Sequence, residues 1–203
     1  MEELISGYRR FRADGWPRQR ERYAALASGG QRPRCMVIAC SDSRVDPQAI
    51  FDAGPGELFV VRNVANLVPP YAPDGSYHGT SAALEFAVRT LEVEHVVVLG
   101  HALCGGVQAL LDRTLAASSD FVGPWVEIAA AAREAVAASP AGPARQAACE
   151  HAVIRLSLAH LRGFPWIAER CAAGRLQLHG CHFDVRTGLL AGLDATGRFV
   201  PVT

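Results

Sequence analysis

The sequence predicts an α/β fold: a central, mostly parallel sheet flanked by helices, with an N-terminal helical arm and a C-terminal strand pair. Three observations carry this expectation. Short apolar runs rich in β-branched residues occur at 35–39, 58–61 and 96–99, the pattern of strands buried on both faces. Between the second and third runs, residues 81–92 place Ala, Leu, Phe and Val at helical spacing, which makes a βαβ unit with parallel strands. Beyond the third run, helix formers dominate to about residue 171.

Taken in order, residues 1–30 carry apolar positions at helical spacing. Pro17 suits the first turn of a second helix, and Gly29-Gly30 a stop. This amphipathic arm must pack on something. The three strands and their crossover follow. The Ala-rich stretch 129–148 favours helix, and Pro140 with Pro143 marks a break between two helices. Residues 176–179 and 183–190 read as a strand pair turned near Thr187-Gly188. With 203 residues the chain suits one domain, 1–203, in which 1–30 is the arm.

Composition narrows the partners. Lys plus Arg number 20 and Asp plus Glu also 20, so no global field favours nucleic acid or an acidic membrane, and the partner is expected to be small. The first sixteen residues lack a basic-then-apolar secretory layout, and no apolar run is long enough to span a bilayer, so a cytoplasmic protein is expected. Six cysteines in such a chain read as free or metal-bound thiols rather than staples. Cys35, Cys149, Cys171 and Cys181 fit small buried hydrophobes.

The remaining two cysteines sit where chemistry is expected. Ligands gather at the carboxyl ends of strands in an open α/β sheet. Cys40 follows the first run, His101 follows the third, and Cys104 comes three residues later with Gly105-Gly106 behind it. Two thiolates and an imidazole suit zinc, and three protein ligands leave a fourth position for water. A structural zinc with a fourth ligand, or no metal at all, stays open on spacing alone. Asp42 and Arg44 lie on the same strand-end loop as Cys40. Beside zinc, the carboxylate can bind the metal or accept a hydrogen bond from its water, and the guanidinium can hold it in the second role.

Three motifs, Cys40-Ser41-Asp42-Ser43-Arg44, Arg62-Asn63-Val64-Ala65-Asn66 and Gly100-His101-Ala102-Leu103-Cys104-Gly105-Gly106, together resemble the beta-class carbonic anhydrases. The likeness is strong over 31–107 and looser over 179–193. It implies that Cys40, His101 and Cys104 hold Zn2+, and that Asp42 and Arg44 form the catalytic dyad. The implied activity is reversible hydration of carbon dioxide to bicarbonate and a proton, with zinc lowering the pKa of bound water and the hydroxide attacking carbon. Two thiolates neutralise the formal zinc charge, so water is acidified less than at a site of three neutral histidines. Asp42 then orients the hydroxide while Arg44 keeps the carboxylate off the metal.

The resemblance also assigns Gln31, Phe59 and Gly105 to substrate contact, and Phe86 stands where plant-like members commonly have Tyr. Some bacterial members carry a regulatory bicarbonate pocket of Trp, Arg and Tyr. Here Val37, Arg62 and Phe183 occupy those positions, so a plant-like subtype without that switch, with water at the fourth zinc position, is expected. A homodimer with active sites at the interface and embracing N-terminal helices, or a homotetramer of such dimers, is implied. His78, His95, His151, His160, His179 and His182 have suitable intrinsic pKa for proton shuttling but no spacing that assigns the task. Two rival readings share these residues: a carbon disulfide or carbonyl sulfide hydrolase, and a non-catalytic zinc protein. A nucleotide-binding loop is the weakest of the rival readings, because residues 100–106 lack the glycine spacing and place His and Cys where phosphate must approach.

Overall fold

The computed structural model describes residues 1–113 and 119–203. Residues 114–118, part of the stretch expected to be helical, lie outside the described residues. The arm comprises α1 (Glu2–Arg10) and α2 (Trp16–Gly29). Six strands form one sheet: β1 (Cys35–Cys40), β2 (Leu58–Asn63), β3 (His95–His101), β4 (Gln177–Phe183), β5 (Leu190–Leu193) and β6 (Phe199–Pro201). Their order is β2-β1-β3-β4-β5-β6. The first four run parallel, and β5 and β6 are antiparallel. Because the parallel strands share a direction, the carboxyl ends of β1 and β3 open on one sheet edge.

The helices follow the expected crossover logic. After the short α3 (Pro47–Ile50), α4 (Gly79–Glu85) joins β2 to β3, and α5 (Gly105–Asp112), α6 (Val122–Glu127) and α7 (Ala130–Ala135) lead to α8 (Pro143–Arg162) and α9 (Pro165–Ala172). The break expected at Pro140 and Pro143 falls between α7 and α8. One core cluster packs Ile154, Leu158 and Leu161 of α8 with Leu84 of α4 and Ile167 of α9 against Met36, Ile38, Val96 and Val98 of the sheet. A second cluster joins Cys149 and Val153, one end of α8, to Cys40 and Cys104. Val37, Ala39 and Leu99 face the other side with Ile50, Phe51 and Phe183. Two glycines let α8 lie close on the sheet. A Cβ on Gly100 would stand 2.7 Å from Ile154 Cδ1, and one on Gly180 2.9 Å from Ile154 Cγ2.

One boundary matches the expectation and another differs. Pro17 lies in the first turn of α2, as expected, although no break in helical backbone separates α1 from α2. The backbone stays right-handed helical from residue 2 to 29 through a widened turn at 11–15, in which the Trp16 N–H returns to Phe11 O. A π-type turn absorbs a proline, which has no N–H to give. The C-terminal pair is shifted: β4 runs unbroken through Gly180 to Phe183, the turn occupies 184–189, and β6 adds a third strand. Asp184 builds that turn, its N–H donating to Leu189 O at 2.9 Å and its carboxylate accepting from Arg186 N at 2.9 Å.

The arm buries none of its residues. Leu4 and Tyr8 are 73% and 61% exposed, whereas α2 is tied down by Arg22, which bonds Pro55 O at 2.6 Å and Glu57 at 2.8 Å. Among the cysteines outside the sheet edge, Cys149 is buried and Cys35, Cys171 and Cys181 are half-buried, all as free thiols. Among the described residues no helix is long and apolar enough to cross a membrane.

Candidate metal centre

Cys40 closes β1 and His101 closes β3, and the pairing of Ala102 N with Phe183 O at 2.9 Å carries the chain one residue past the strand end. Leu103 then turns back with φ 60°, and Cys104 stands at the entry of α5. The ligand atoms of Cys40, His101 and Cys104 all lie within 4.8 Å of one another, and among the described residues no fourth Cys, His or carboxylate joins that group. All three side chains are buried.

Their donor chemistry fits a zinc ion. The Nδ1 of His101 lies 2.9 Å from Ala102 O, and a carbonyl only accepts, so Nδ1 donates and the Nε2 lone pair is left free. That Nε2 is buried without a hydrogen-bond partner. Cys40 Sγ and Cys104 Sγ are 3.8 Å apart. Hydrogen bonding between them pulls the Cys40 thiol down and pushes Cys104 up, with burial adding to the rise at Cys104. The pair therefore holds one negative charge easily and a second only beside a cation. A divalent, borderline-soft ion bound by both sulfurs and Nε2 resolves the repulsion and the orphaned nitrogen together.

Asp42 stands next to this group, its Oδ2 3.9 Å from His101 Nε2. Arg44 donates to Oδ1 from its backbone N (3.0 Å) and Nε (2.9 Å), and to Oδ2 from Nη2 (2.7 Å). These hydrogen bonds hold the carboxyl well below the usual carboxylate range, against a smaller opposing effect of burial. Asp42 is ionised and can only accept. The same Arg44 Nη2 reaches Leu103 O at 3.0 Å, so one guanidinium ties the loop after β1 to the loop after β3. Arg62 fixes the first loop from its other side, donating to Cys40 O at 2.9 Å and Asp42 O at 2.6 Å. Val37 and Phe183, the companions of Arg62 in the sequence comparison of regulatory pockets, lie together in the small core cluster on one face of the sheet.

The residues expected to touch substrate separate. Gly105 follows Cys104 directly, with nothing within 4 Å of where a Cβ would stand. Phe59 pairs in register with Met36, while Asn63 pairs with Cys40. Four residue steps, about 13 Å along β2, therefore separate Phe59 from the level of Cys40. Phe59 stacks on Phe86 at 5.9 Å, and Gln31 is exposed in the linker before β1. Gln31, Phe59 and Phe86 thus lie toward the end of the sheet away from Cys40 in their own chain.

Sequence reasoning missed a buried pair behind the centre. Glu150 on α8 is 3% exposed and accepts from Cys104 N–H at 3.2 Å, and its other oxygen lies 3.1 Å from His182 Nε2. The available signal was a lone carboxylate in the apolar stripe of Cys149 and Val153. Three of the other histidines are also engaged: His160 with Val68 O at 2.7 Å, and His95 with His179 at 3.2 Å.

The family model for carbonic anhydrase matches residues 35–190, a span that contains every group in this cluster. The chain is 45% identical to beta carbonic anhydrase 5, chloroplastic, of Arabidopsis thaliana over 81% of its own length, spanning 55% of that protein. It is 39% identical to a carbonic anhydrase of Pseudomonas aeruginosa over 98% of its length and 91% of the relative's. Among solved structures, the beta-carbonic anhydrase CcaA has a TM-score of 0.94 at 33% identity, covering 100% of this chain and 99% of that one. One of two tetrameric beta-carbonic anhydrases of Sordaria macrospora has a TM-score of 0.84 at 28% identity, covering 98% of both chains. The matched residues and the shared fold take in all six strands and the loops that carry Cys40, His101 and Cys104, and the chain belongs to the beta-class carbonic anhydrases.

Proposed function

We propose that the chain catalyses the reversible hydration of carbon dioxide to bicarbonate and a proton, with Cys40, His101 and Cys104 holding zinc and Asp42 and Arg44 acting as the orienting dyad. The observation that carries this reading is the ionised Asp42 carboxylate beside the partnerless His101 Nε2, at 3.9 Å. A purely structural metal would need neither that carboxylate nor its guanidinium clamp.

Zinc, when bound, supplies the Lewis acidity that makes water a nucleophile near neutral pH. Asp42 supplies direction: it accepts a hydrogen bond from the attacking water and turns an oxygen lone pair toward the substrate carbon. Arg44 occupies both carboxylate oxygens and so keeps Asp42 from turning onto the metal position. Gly105, without a side chain, leaves room for a triatomic substrate. As the new C–O bond forms, the water's proton passes to solvent or buffer.

The reading includes assembly. Gln31 and Phe59 lie too far from their own centre to line it, yet an exposed arm and a metal edge at opposite ends of the sheet suit a second copy packed antiparallel across a two-fold axis. In a homodimer or homotetramer these side chains would complete the partner's site. Stopped-flow carbon dioxide hydration across pH, on protein of measured zinc content and alongside sulfide release from carbon disulfide, tests the activity. Zinc-loaded protein that hydrates no carbon dioxide at any pH overturns it.

A further inference from the structure

We propose that Glu150, braced by His182, is a positioning residue that holds Cys104 in the geometry required of a metal ligand. The inference rests on the reading of Cys40, His101 and Cys104 as a zinc site.

Cys104 reaches the cluster through a difficult turn. Leu103 sits at φ 60°, a conformation that a non-glycine residue keeps only when its surroundings enforce it. One restraint is Arg44, which binds Leu103 O from the outer side. The other comes from inside, where two residues one helical turn apart on α8 grip both polar groups of Cys104. Gln146 Nε2 donates to Cys104 O at 3.4 Å, and Glu150 Oε1 accepts from Cys104 N at 3.2 Å. The acceptor is a carboxylate, and hydrogen bonds to charged acceptors are the strong ones.

A carboxylate this deeply buried needs more than one partner. His182 provides it, its Nε2 donating to Oε2 at 3.1 Å from a ring only 9% exposed. His182 is itself held: His151 meets it edge-on at 4.6 Å and stacks on Phe199 of β6 at 4.1 Å. A chain of contacts thus runs from the last strand to the backbone of a metal ligand. It keeps Cys104 Sγ near Cys40 Sγ before any ion arrives. Groups that orient metal ligands in this way typically change affinity by roughly 10- to 100-fold when removed.

The test uses full-length protein loaded with zinc, and separately with cobalt(II), whose absorption bands report ligand geometry independently of turnover. In Glu150→Ala, zinc transfer to a chelator is expected to accelerate roughly 10- to 100-fold, with shifted cobalt bands. Glu150→Gln keeps an acceptor for the Cys104 N–H and is expected to restore most of the wild-type behaviour. His182→Phe keeps the carboxylate but removes its brace, and an intermediate acceleration is expected. Should Glu150→Ala not fold, His182→Phe carries the test. Wild-type release rates and wild-type cobalt bands in the folded Glu150→Ala protein, or in His182→Phe where only it folds, overturn the inference while leaving the metal reading intact. A wild-type protein that takes up neither zinc nor cobalt overturns both.

Discussion

Arg44 grips Asp42 with three hydrogen bonds, two to Oδ1 and one to Oδ2, and spends a further contact on Leu103 O across the site. Both carboxylate oxygens are thereby fixed while Oδ2 stays within 3.9 Å of His101 Nε2. A freed carboxylate at that distance can turn onto the metal. In Arg44→Ala, carbon dioxide hydration is therefore expected to fall by roughly 100-fold or more at unchanged zinc content. Arg44→Lys keeps the charge but not the planar fork and should fall between the two. Stopped-flow assays with metal analysis on each variant decide this, and near-wild-type turnover in zinc-loaded Arg44→Ala would remove the dyad from the mechanism.

Gly100 immediately precedes His101 and lies under α8. A methyl group there would meet Ile154 Cδ1 at 2.7 Å and Cγ1 at 2.8 Å, and Ile154 is fully buried. Neither β3 nor α8 can yield without disturbing the core. Gly100→Ala is expected to cost about 1–3 kcal/mol in denaturant unfolding. A variant as stable as wild type would mean that α8 lies farther from the sheet than described.

His151 gives a pH dependence with a defined sign. Burial is the main cause, with the nearby charges of His182 and Arg155, that lowers its pKa to about 4. An unfolded histidine takes its proton near pH 6.5, whereas the folded ring waits until about pH 4. Between those values the unfolded chain binds more protons, so the stability associated with a neutral ring is full above about pH 6.5 and declines toward pH 4. His151→Phe preserves the stack on Phe199 and removes this slope. Unfolding midpoints of zinc-free wild type and variant, compared through that window, should separate as pH falls, wild type losing stability that the variant keeps. Parallel curves would show that His151 does not titrate between the two states.

Phe59 lies about 13 Å along β2 from the residue opposite Cys40. If its role is in a neighbour's site, two inactive chains should complement each other. Phe59→Ala keeps its metal ligands, and Cys40→Ala keeps Phe59, so mixed oligomers would contain one complete site. Activity should rise after co-refolding the two variants and not after simple addition of either to itself. No recovery in mixed oligomers verified by mass would place Phe59 in its own chain's core alone.

The central strands were legible because β1 and β3 are covered on both sides, which demands unbroken runs such as Met36 to Ala39 and Val96 to Leu99. Boundaries that depend on context were not. Gly180 looks like an interruption of β4, but its missing side chain is what admits Ile154. Pro17 does mark the first turn of α2, but nothing in the sequence showed that a widened turn at 11–15 joins α2 to α1 without a break. Similarly, Cys40, His101 and Cys104 could be picked out by their places after strands, whereas Glu150, 46 residues from the backbone group that it binds, carried no local mark.

The sequence by itself determined the α/β class, the family resemblance and the three side chains that the fold gathers into one Cys-His-Cys group, since strand pattern and ligand chemistry are local properties. Tertiary structure decided which oxygen of Asp42 faces His101, that Arg44 also spans to Leu103, that Glu150 and His182 stand behind Cys104, and that Gln31 and Phe59 lie away from their own centre. Those relations depend on the parallel register of four strands and on how closely α8 lies over Gly100 and Gly180, which are set by packing among residues far apart in the chain.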